Sequence, residues 1–377
     1  MSSRRRVRTQ GVSGSNVAHV IDSPNRPSPS LKDSELRRSL DLWNDITTMR
    51  WMTRPSSSFK LLMIPVVGWA ILHFLGLPNP FEPMLFLSYY LPDSEPGFPK
   101  FAKGPLDILF IAYYVIIFSF IRQSWVLKIL RPLARRLGIK KPAKLDRFAE
   151  QGYTAIYFSF FGLLGVYVMS QLPTWWYRTE HFWLEYPHWR MTPLLKRYYL
   201  MQLSYWVQQL FVLILRLEKP RKDFAELVIH HFVTIWLVGW SYAINLTWIG
   251  NAVFLTMDVS DIFLAISKVC NYLRLEKTTN VIFAFFICVW SYLRHYLNII
   301  ILWSVWTQFD LIPDQAKRFT PRDGVWMVWW MKYQIFIPIL LLQLVNIFWY
   351  FLIWRVLFRA LFQKKLADER SDDEDED

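Results

Sequence analysis

The stretch HHFVTIWLVGWSYAINLTWIGNAVFLTMDVSDIFLAISKVCNY, residues 230–272, decides the fold of this chain. It is apolar enough for two membrane-spanning helices, yet it contains the adjacent histidines His230 and His231 and the aspartates Asp258 and Asp261. An ionisable side chain at membrane depth costs at least ~2.5 kcal/mol, so it normally faces a bundle interior or a wet cavity. The stretch therefore predicts two helices that face a functional site.

The polar residues of this stretch fall on one face of each predicted helix. At 100° per residue, about a third of the circumference of the first helix carries all of its polar side chains, which are His230, His231, Thr234, Ser241, Tyr242 and Asn245. The second helix has a similar stripe, formed by Asn251, Asp258, Asp261, Lys268 and Tyr272. The connection, residues 246–248, is so short that the helices must pack as an antiparallel hairpin, which can bring the histidines and aspartates together.

Composition predicts a membrane protein. The chain has 377 residues, is 53% hydrophobic and 18% aromatic, and contains 20 Trp, which together exceed the content of an ordinary soluble domain. The net charge of +13 does not indicate nucleic-acid binding, because the basic residues cluster beside apolar segments and so report membrane topology. Two cysteines, Cys270 and Cys288, provide no disulfide framework.

Eight apolar segments predict the fold class. We expect an all-α, polytopic membrane protein of about eight transmembrane helices, arranged as a bundle or barrel around a cavity that lipids can enter. The segments are approximately 61–76, 106–121, 153–172, 198–216, 228–244, 249–269, 280–304 and 333–356.

Loop charges predict the orientation. Lys and Arg are dense between segments 2 and 3 and between segments 4 and 5, whereas they are sparse between 1 and 2 and absent between 5 and 6. The positive-inside rule then puts both termini, and the first turns of segment 5 with its histidines, on the cytosolic side. The predicted regions are a basic disordered arm (1–55), two helices with a basic loop (56–150), a six-helix catalytic domain (151–356) and an acidic tail (357–377).

The spacing of the polar residues carries a resemblance to a known family. The pattern H-H-x-x-T…S-Y-x-x-N…D-x-x-D…K-x-x-N-Y, which ends at Lys268, Asn271 and Tyr272, resembles the signature of the ceramide synthases, or sphingosine N-acyltransferases, of the TLC-domain membrane proteins. The likeness spans roughly residues 150–355. Met257 before the first aspartate is similar to fungal members, whereas Trp248 stands where many members have Arg.

The resemblance implies an enzyme of the endoplasmic reticulum membrane that uses acyl-CoA as co-substrate, a sphingoid base as acceptor, and no metal or other cofactor. It also implies a homodimer and a small single-span regulatory subunit as partners. The residues expected to be catalytic are His230, His231, Asp258 and Asp261. The residues expected to bind substrate are Ser241, Tyr242, Asn245, Lys268, Asn271, Arg294, Tyr205 and Gln209.

The chemistry of amide formation explains the histidines. The amine of a sphingoid base is protonated near neutral pH, like Lys with its pKa of ~10.4, so the reaction needs a base. Histidine suits this task, and it can also attack the thioester to form an acyl-imidazole. We expect His230 or His231 to act as base or nucleophile, with the aspartates orienting the imidazole and binding the ammonium. Neighbouring helical residues diverge by 100°, so the two histidines must differ in role, and which of them is central stays open.

Several alternatives remain at this stage. Arg294 either pairs with Asp258 or substrate in the site, or forms a buried ion pair that fixes helix packing. The stripe of segment 4 that carries Tyr198, Gln202, Tyr205 and Gln209 is more typical of hydrogen bonding between helices than of catalysis. Residues 324–334, just before the last segment, are where the family is thought to tune acyl chain length.

Other function classes fit less well. A di-iron hydroxylase needs several spaced histidine boxes, and the chain has seven histidines with one adjacent pair. A membrane-bound O-acyltransferase would also use histidine, but the partner aspartates match the pattern of the N-acyltransferases better. The principal alternative is a non-enzymatic TLC-type protein, such as a translocon accessory factor, a cargo receptor or a lipid transporter.

Overall fold

Eight long helices make up most of the computed structural model, which describes residues 42–219 and 223–363. They are α1 Pro55–Phe74, α2 Asp107–Arg136, α3 Pro142–Ser170, α4 Pro193–Ile214, α5 Phe224–Ala243, α6 Thr247–Tyr272, α7 Glu276–Thr307 and α8 Met331–Gln363. Helices α2 and α7 each contain a π-helical turn, Val126–Leu130 and Ser291–Leu297 respectively. The predicted all-α class is confirmed, and each of the eight predicted segments overlaps one of these helices.

Within the described residues, seven of these helices are long and apolar enough to cross a membrane, and the exception is α4. Helix α4 has 22 residues, so it is ~33 Å long and could cross a bilayer by length. Its low hydropathy comes from polar side chains that are buried against other helices, including Lys196, Gln202 and Gln208. A helix that is shielded from lipid by its neighbours does not need an apolar surface.

Short elements connect the long helices. A two-stranded antiparallel sheet, β1 Tyr90–Leu91 and β2 Lys100–Phe101, lies between α1 and α2. The short helices are Leu42–Thr47, Glu82–Leu85 and His181–Leu184. The 3₁₀ turns are Arg50–Met52, Phe309–Leu311, Asp314–Ala316 and Pro321–Asp323.

The ends of the predicted regions are described only in part. The predicted basic arm overlaps the folded part from Leu42 onward, where Asp45 and Met52 are buried. Its first 41 residues, residues 220–222 of the basic loop before α5, and the acidic tail from residue 364 lie outside the described residues.

Six of the helices form a ring. Helix α3 packs along α6, α6 against α7, α7 against α8, α8 against α5 and α5 against α4, and α4 returns to α3. Helix α2 packs outside the ring against α4, and α1 packs against α2. Helices α3 and α6 approach closely at Gly162, where an added Cβ would lie 3.3 Å from Ile262. The ring contains the six helices of the predicted 151–356 region and encloses an interior.

The two faces of α5 show what surrounds the ring. Its outward side chains Ile229, Phe232 and Trp236 are more than half or about half exposed, whereas His230 and Thr234 between them are buried. Large apolar side chains along the outside and polar ones along the inside are the reverse of a soluble helix, and they fit a lipid surround. The ring therefore turns its polar residues inward.

A buried ion pair ties the α1–α2 connection to the ring. Lys196 Nζ lies 2.8 Å from Asp107 Oδ1, and neither side chain is more than 4% exposed. Lys196 also donates to the carbonyls of Ser88 (2.9 Å) and Ala102 (2.6 Å). Asp107 Oδ2 accepts hydrogen bonds from the Tyr242 hydroxyl (2.8 Å) and from the Gly104 N–H (2.9 Å). Each charge is thus both paired and hydrogen-bonded, as burial requires.

We expect Lys196→Met to destabilise the protein by about 3–5 kcal/mol, because it leaves the Asp107 carboxylate buried without its counter-charge. The double variant Lys196→Met/Asp107→Asn removes the stranded charge and should recover part of this loss. Thermal unfolding in detergent, followed by circular dichroism, measures both variants. A double variant that is no more stable than Lys196→Met would contradict this assignment.

Candidate active site

A cavity lies between α4, α5, α6 and α8. Most of its wall is apolar, and its few polar side chains include those of His230, Thr234 and Asp258. The lining residues are Tyr199, Trp206, His230, Thr234, Leu237, Val238, Trp240, Ser241, Ile244, Leu246, Ile249, Gly250, Val253, Phe254, Met257, Asp258, Gln334, Ile335, Ile339 and Leu342. This is the predicted interior cavity, and both predicted hairpin helices contribute to it.

His230 and Asp258 lie at the end of the cavity away from the α5–α6 connection. His230 is ~20 Å along α5 from this connection, and Asp258 is ~16 Å along α6 from it, near the middle of that helix. The part of the cavity nearest the connection is mostly apolar, with Ile244, Leu246 and Ile249, and it also includes the hydrogen-bonded Ser241. His230 is therefore the cavity group nearer to the membrane surface at which α5 begins, and Asp258 lies deeper.

His230 lies at the polar end, with aromatic neighbours. Its ring is roughly perpendicular to those of Trp206 and Trp349, at centroid distances of 5.6 and 5.1 Å. Its Nδ1 atom is buried and has no hydrogen-bond partner among the described residues. Packing rather than hydrogen bonding holds this imidazole, which leaves Nδ1 for a bound molecule.

His231 is held differently. Its Nδ1 atom lies 2.8 Å from the carbonyl oxygen of Leu227, one turn earlier on α5. A carbonyl oxygen only accepts hydrogen bonds, so Nδ1 of His231 carries the proton. His231 contacts Trp206 (5.6 Å between ring centroids), but it is absent from the cavity wall. The geometry thus distinguishes the two histidines, which the sequence left open.

Asp258 is fully buried and faces the cavity. Its Oδ2 atom accepts a hydrogen bond of 2.5 Å from Gln202 Nε2. Its Oδ1 atom has no hydrogen-bond partner within residues 42–219 and 223–363. Asp258 therefore lines the same cavity as His230 without being hydrogen-bonded to it, unlike the carboxylate of a hydrolase triad.

Asp261 faces another helix. Residues three apart on a helix differ by 60° in direction, which turns Asp258 toward α4 and Asp261 toward α7. Asp261 Oδ1 lies 2.8 Å from Arg294 Nη2. The Arg294 guanidinium also donates to Ser260 Oγ (2.7 Å), the Met257 carbonyl (2.9 Å) and Asn346 Oδ1 (3.1 Å).

These contacts favour the structural interpretation of Arg294. The guanidinium also stacks on Trp290, 4.0 Å from the ring centroid, so it joins α6, α7 and α8. It projects from the π-helical turn of α7, a local widening that often marks special positions in helices. One predicted alternative paired Arg294 with Asp258, but in the structure it forms its ion pair with Asp261, and it is not part of the cavity wall.

Among the predicted substrate-binding residues of α5, Ser241 lines the cavity and is hydrogen-bonded to the Tyr199 hydroxyl. Tyr242 instead donates to Asp107. Asn245 ends α5 in the left-handed region (φ 62°), and its side chain donates to the Gly324 carbonyl at 2.7 Å. The predicted stripe is thus divided between the cavity, the buried ion pair and a helix cap.

Four further predicted binding residues lie away from the cavity wall. Lys268 and Asn271 are in the last two turns of α6, beyond the level of the histidines. Tyr205 stacks on Tyr157 with a centroid distance of 3.3 Å, and Gln209 donates to the side chain of Gln208 at 3.0 Å. Neither α4 residue contacts the cavity, because α4 turns Tyr199 and Trp206 toward it instead.

Sequence reasoning missed Tyr199, Trp206 and the contribution of α8. The polar stripe of α4 indicated Tyr198 and Gln202, and Tyr199 next to them points 100° away, into the cavity. Trp206 looked like one more membrane aromatic. From α8, the cavity is lined by Gln334 and three aliphatic residues. No pattern within an apolar helix identifies which face borders a cavity, so these residues carried no signal in the sequence.

The other described histidines have local partners. His188 is buried against Trp248, with 3.8 Å between the ring centroids, so the tryptophan at this position has an aromatic partner in the α3–α4 connection. Burial lowers the pKa of His188 to about 3, so it is neutral at physiological pH. His295 is hydrogen-bonded to Gln343. Within the described part of the chain, no group of three or more His, Cys, Asp or Glu could hold a metal ion.

Comparisons with known proteins identify the relatives of this chain. The family model for the TLC domain matches residues 147–355. The sphingosine N-acyltransferase lac1 of Schizosaccharomyces pombe is 44% identical over 84% of this chain and 80% of its own length. The ceramide synthase LAG1 of Saccharomyces cerevisiae is 38% identical over 92% of this chain and 82% of its own. Both relatives are fungal, as the residues around Asp258 predicted.

The close contact between Gly250 and the Tyr199 hydroxyl, beside Ser241, can be tested by substitution. A Cβ added to Gly250 would lie 1.8 Å from the Tyr199 hydroxyl oxygen, so Gly250→Ala must displace Tyr199 and break its bond to Ser241. We expect lower thermal stability and an altered cavity. Tyr199→Phe removes the clashing oxygen, so Gly250→Ala/Tyr199→Phe should be more stable than Gly250→Ala alone. Thermal unfolding of the three variants checks this, and additive losses would refute the proposed contact.

Proposed function

We propose that this chain, which belongs to the sphingosine N-acyltransferases of the TLC-domain family, transfers a long fatty acyl group from acyl-CoA to the amine of a sphingoid base and so forms a ceramide. One observation carries the proposal beyond the family likeness. A deep apolar cavity ends at a buried imidazole and a buried carboxylate, and each has an atom without a partner among the described residues. Such a cavity fits a hydrocarbon chain whose reactive end stops at these groups.

The position of His230 fits the meeting of a lipid and a water-soluble thioester. His230 is in the second turn of α5, about 9 Å from the start of the helix. The acyl chain would occupy the apolar part of the cavity, toward Ile249 and Ile335. The polar coenzyme A would stay at the membrane surface, with the thioester carbonyl between them at His230.

His230 acts as base or nucleophile in this proposal. As base, its imidazole accepts a proton from the ammonium and passes it to water. The amine nitrogen then attacks the thioester carbon, and its second proton passes through the imidazole to the thiolate as the carbon–sulfur bond breaks, which leaves the amide and coenzyme A thiol. As nucleophile, the imidazole nitrogen attacks first and coenzyme A leaves as the thiol. The amine then displaces the imidazole from the acyl group. Release of one equivalent of coenzyme A without any sphingoid base would distinguish the second route.

Asp258 is the group that receives the amine. Its unpartnered Oδ1 is a hydrogen-bond acceptor in the same cavity as His230. A carboxylate in a water-poor site attracts an ammonium strongly, and it places the nitrogen beside the thioester. Asp261 has a supporting role, because Arg294 occupies it and holds α6 against α7.

Two donors beside His230 suit the carbonyl oxygen of the substrate. Thr234 is one helical turn after His230 on the same face. Its Oγ1 atom and the Trp206 Nε1 atom are buried without hydrogen-bond partners in the described part of the chain. Some other helical hydroxyls bond to their own backbone, as Ser119, Ser204 and Ser291 do. Those of Thr247 and Thr279 are, like that of Thr234, without partners among the described residues, but they do not line the cavity. A free donor here can stabilise the negative charge that develops on the carbonyl oxygen.

The proposal extends to the setting of the enzyme. It includes residence in the endoplasmic reticulum membrane, both termini in the cytosol, a homodimer and a small single-span regulatory subunit. The loop charges support the orientation, since the connections beside the start of α5 are rich in Lys and Arg. In this orientation His230 is near the cytosolic surface, where acyl-CoA is found.

His230→Ala should reduce N-acylation by at least ~10²-fold, because it removes the proposed base or nucleophile. The assay is purified protein in nanodiscs with sphinganine and a long-chain acyl-CoA, with the amide product measured by mass spectrometry and free coenzyme A by a thiol reagent. His181→Ala is the matched control, since this histidine lies in the α3–α4 connection and pairs with Glu185. Near-normal activity of a folded His230→Ala protein would exclude the mechanism, and wild-type protein that forms no amide would favour a non-enzymatic role.

Thr234→Val, which keeps the side-chain shape, should lower kcat by about 10²-fold, the usual loss for one oxyanion donor. Thr234→Ser keeps the hydroxyl and should retain most of the activity. Steady-state kinetics with saturating sphinganine and acyl-CoA measure both. Equal activity of the two variants would mean that the hydroxyl takes no part.

A further inference from the structure

We infer that Gln202 is a positioning residue that fixes the Asp258 carboxylate so that one of its oxygens points to the substrate amine. This inference rests on the proposed function, and it adds a residue that the sequence pattern assigned to helix packing. It is carried by a hydrogen-bond network that joins α3, α4 and α6 beside the cavity.

Every polar atom of the Gln202 side chain has a partner. Its Nε2 atom donates to Asp258 Oδ2 at 2.5 Å and to the Tyr198 hydroxyl at 3.1 Å. Its Oε1 atom accepts a hydrogen bond of 2.7 Å from the Tyr157 hydroxyl. Gln202 itself has no exposed surface. The amide is therefore saturated and buried, and water does not compete for it.

The partners also fix the direction of the amide. A reversed amide would put Oε1 against the carboxylate of Asp258, and two acceptors repel each other. The Tyr157 hydroxyl stabilises the observed direction by donating to Oε1. The N–H of Gln202 is thus fixed toward Asp258, and it holds Oδ2 on the α4 side.

The surrounding backbone supports the second partner. An added Cβ at Gly165 of α3 would lie 2.7 Å from the Tyr198 hydroxyl oxygen, so the absence of a side chain at Gly165 makes room for this hydroxyl. Tyr157 is also fixed, because its ring stacks on Tyr205. The network is therefore rigid on all sides except at Asp258 Oδ1.

The hydrogen bond from Gln202 leaves one oxygen of the Asp258 carboxylate free. Because Gln202 binds Oδ2, the unpartnered Oδ1 is the atom of Asp258 that a ligand in the cavity can reach. An ammonium placed there stands at a fixed direction from α6, in the same cavity as His230. Without Gln202 the carboxylate could rotate about its side-chain bonds, and its buried charge would lose its donor. Gln202 therefore acts on the amine through Asp258 and is not itself a catalytic residue.

The test is Gln202→Met, which keeps the length of the side chain and removes the amide. We expect the KM for sphinganine to rise about 10-fold or more, the effect of losing a hydrogen bond to a charged group, while the KM for acyl-CoA stays unchanged. Gln202→Glu retains a donor when it is protonated, so relative to wild type its affinity for sphinganine should improve as the pH falls. Tyr157→Phe, which frees the amide to reverse, should raise the KM for sphinganine by a smaller factor.

Gln343→Met is the matched control. Gln343 is also a buried glutamine between helices, where it accepts from Asn298 and bonds to His295, away from the cavity wall. It should lose stability without a change in the KM for sphinganine. An unchanged KM for sphinganine in Gln202→Met, equal increases in both KM values, or the same increase in Gln343→Met would overturn the inference. Wild-type protein that forms no amide would instead overturn the proposed function.

Discussion

The burial of charge among membrane helices is the constraint on which this structure depends. Away from the cavity the buried charges are paired, as Lys196 is with Asp107 and Arg294 is with Asp261. At the cavity, by contrast, Asp258 Oδ1 and His230 Nδ1 lack partners in the part of the chain that is described. Buried polar atoms without hydrogen-bond partners also occur elsewhere among the described residues, for example at His188 and Asn251. At the cavity, however, an imidazole and a carboxylate with such atoms line the same open space, where a bound molecule can complete them. The combination of unsatisfied titratable groups with a shared cavity therefore identifies the site.

The ring of helices explains how such a site can exist in lipid. Helix α4 has the lowest hydropathy of the eight, and it is shielded by α2, α3 and α5. This shielding allows α4 to carry Gln202 against Asp258 and Trp206 against His230. A helix that faced lipid could not carry these groups at the same cost. The ring thus allows polar groups to pack in its interior while its outer surface stays apolar, as the membrane requires.

Periodicity in the sequence predicted the eight helices and the two inward stripes, because a helix repeats its faces at a fixed angle. It also brought His230 and Asp258 to one site. It did not separate Asp258 from Asp261, whose directions differ by only 60°, within the width of the predicted stripe. That difference is decided by the neighbours, α4 for one aspartate and α7 for the other. Tyr199 and the α8 wall were equally inaccessible, since an apolar or aromatic residue gives the same signal toward lipid and toward a cavity.

The two adjacent histidines share a neighbour but differ in their hydrogen bonds. Both rings lie 5.6 Å from the ring of Trp206, so one aromatic side chain contacts both. His231 donates a hydrogen bond from Nδ1–H to the carbonyl oxygen of Leu227, which fixes its tautomer. His230 has no such bond, and it borders the cavity. A backbone carbonyl thus holds the His231 ring in place, whereas the indole rings of Trp206 and Trp349 confine the His230 ring and leave its Nδ1 free. A reaction that needs a proton acceptor at a fixed position therefore favours His230. His231 has a structural role, because it contacts Trp206 and so helps to hold the indole that packs on His230.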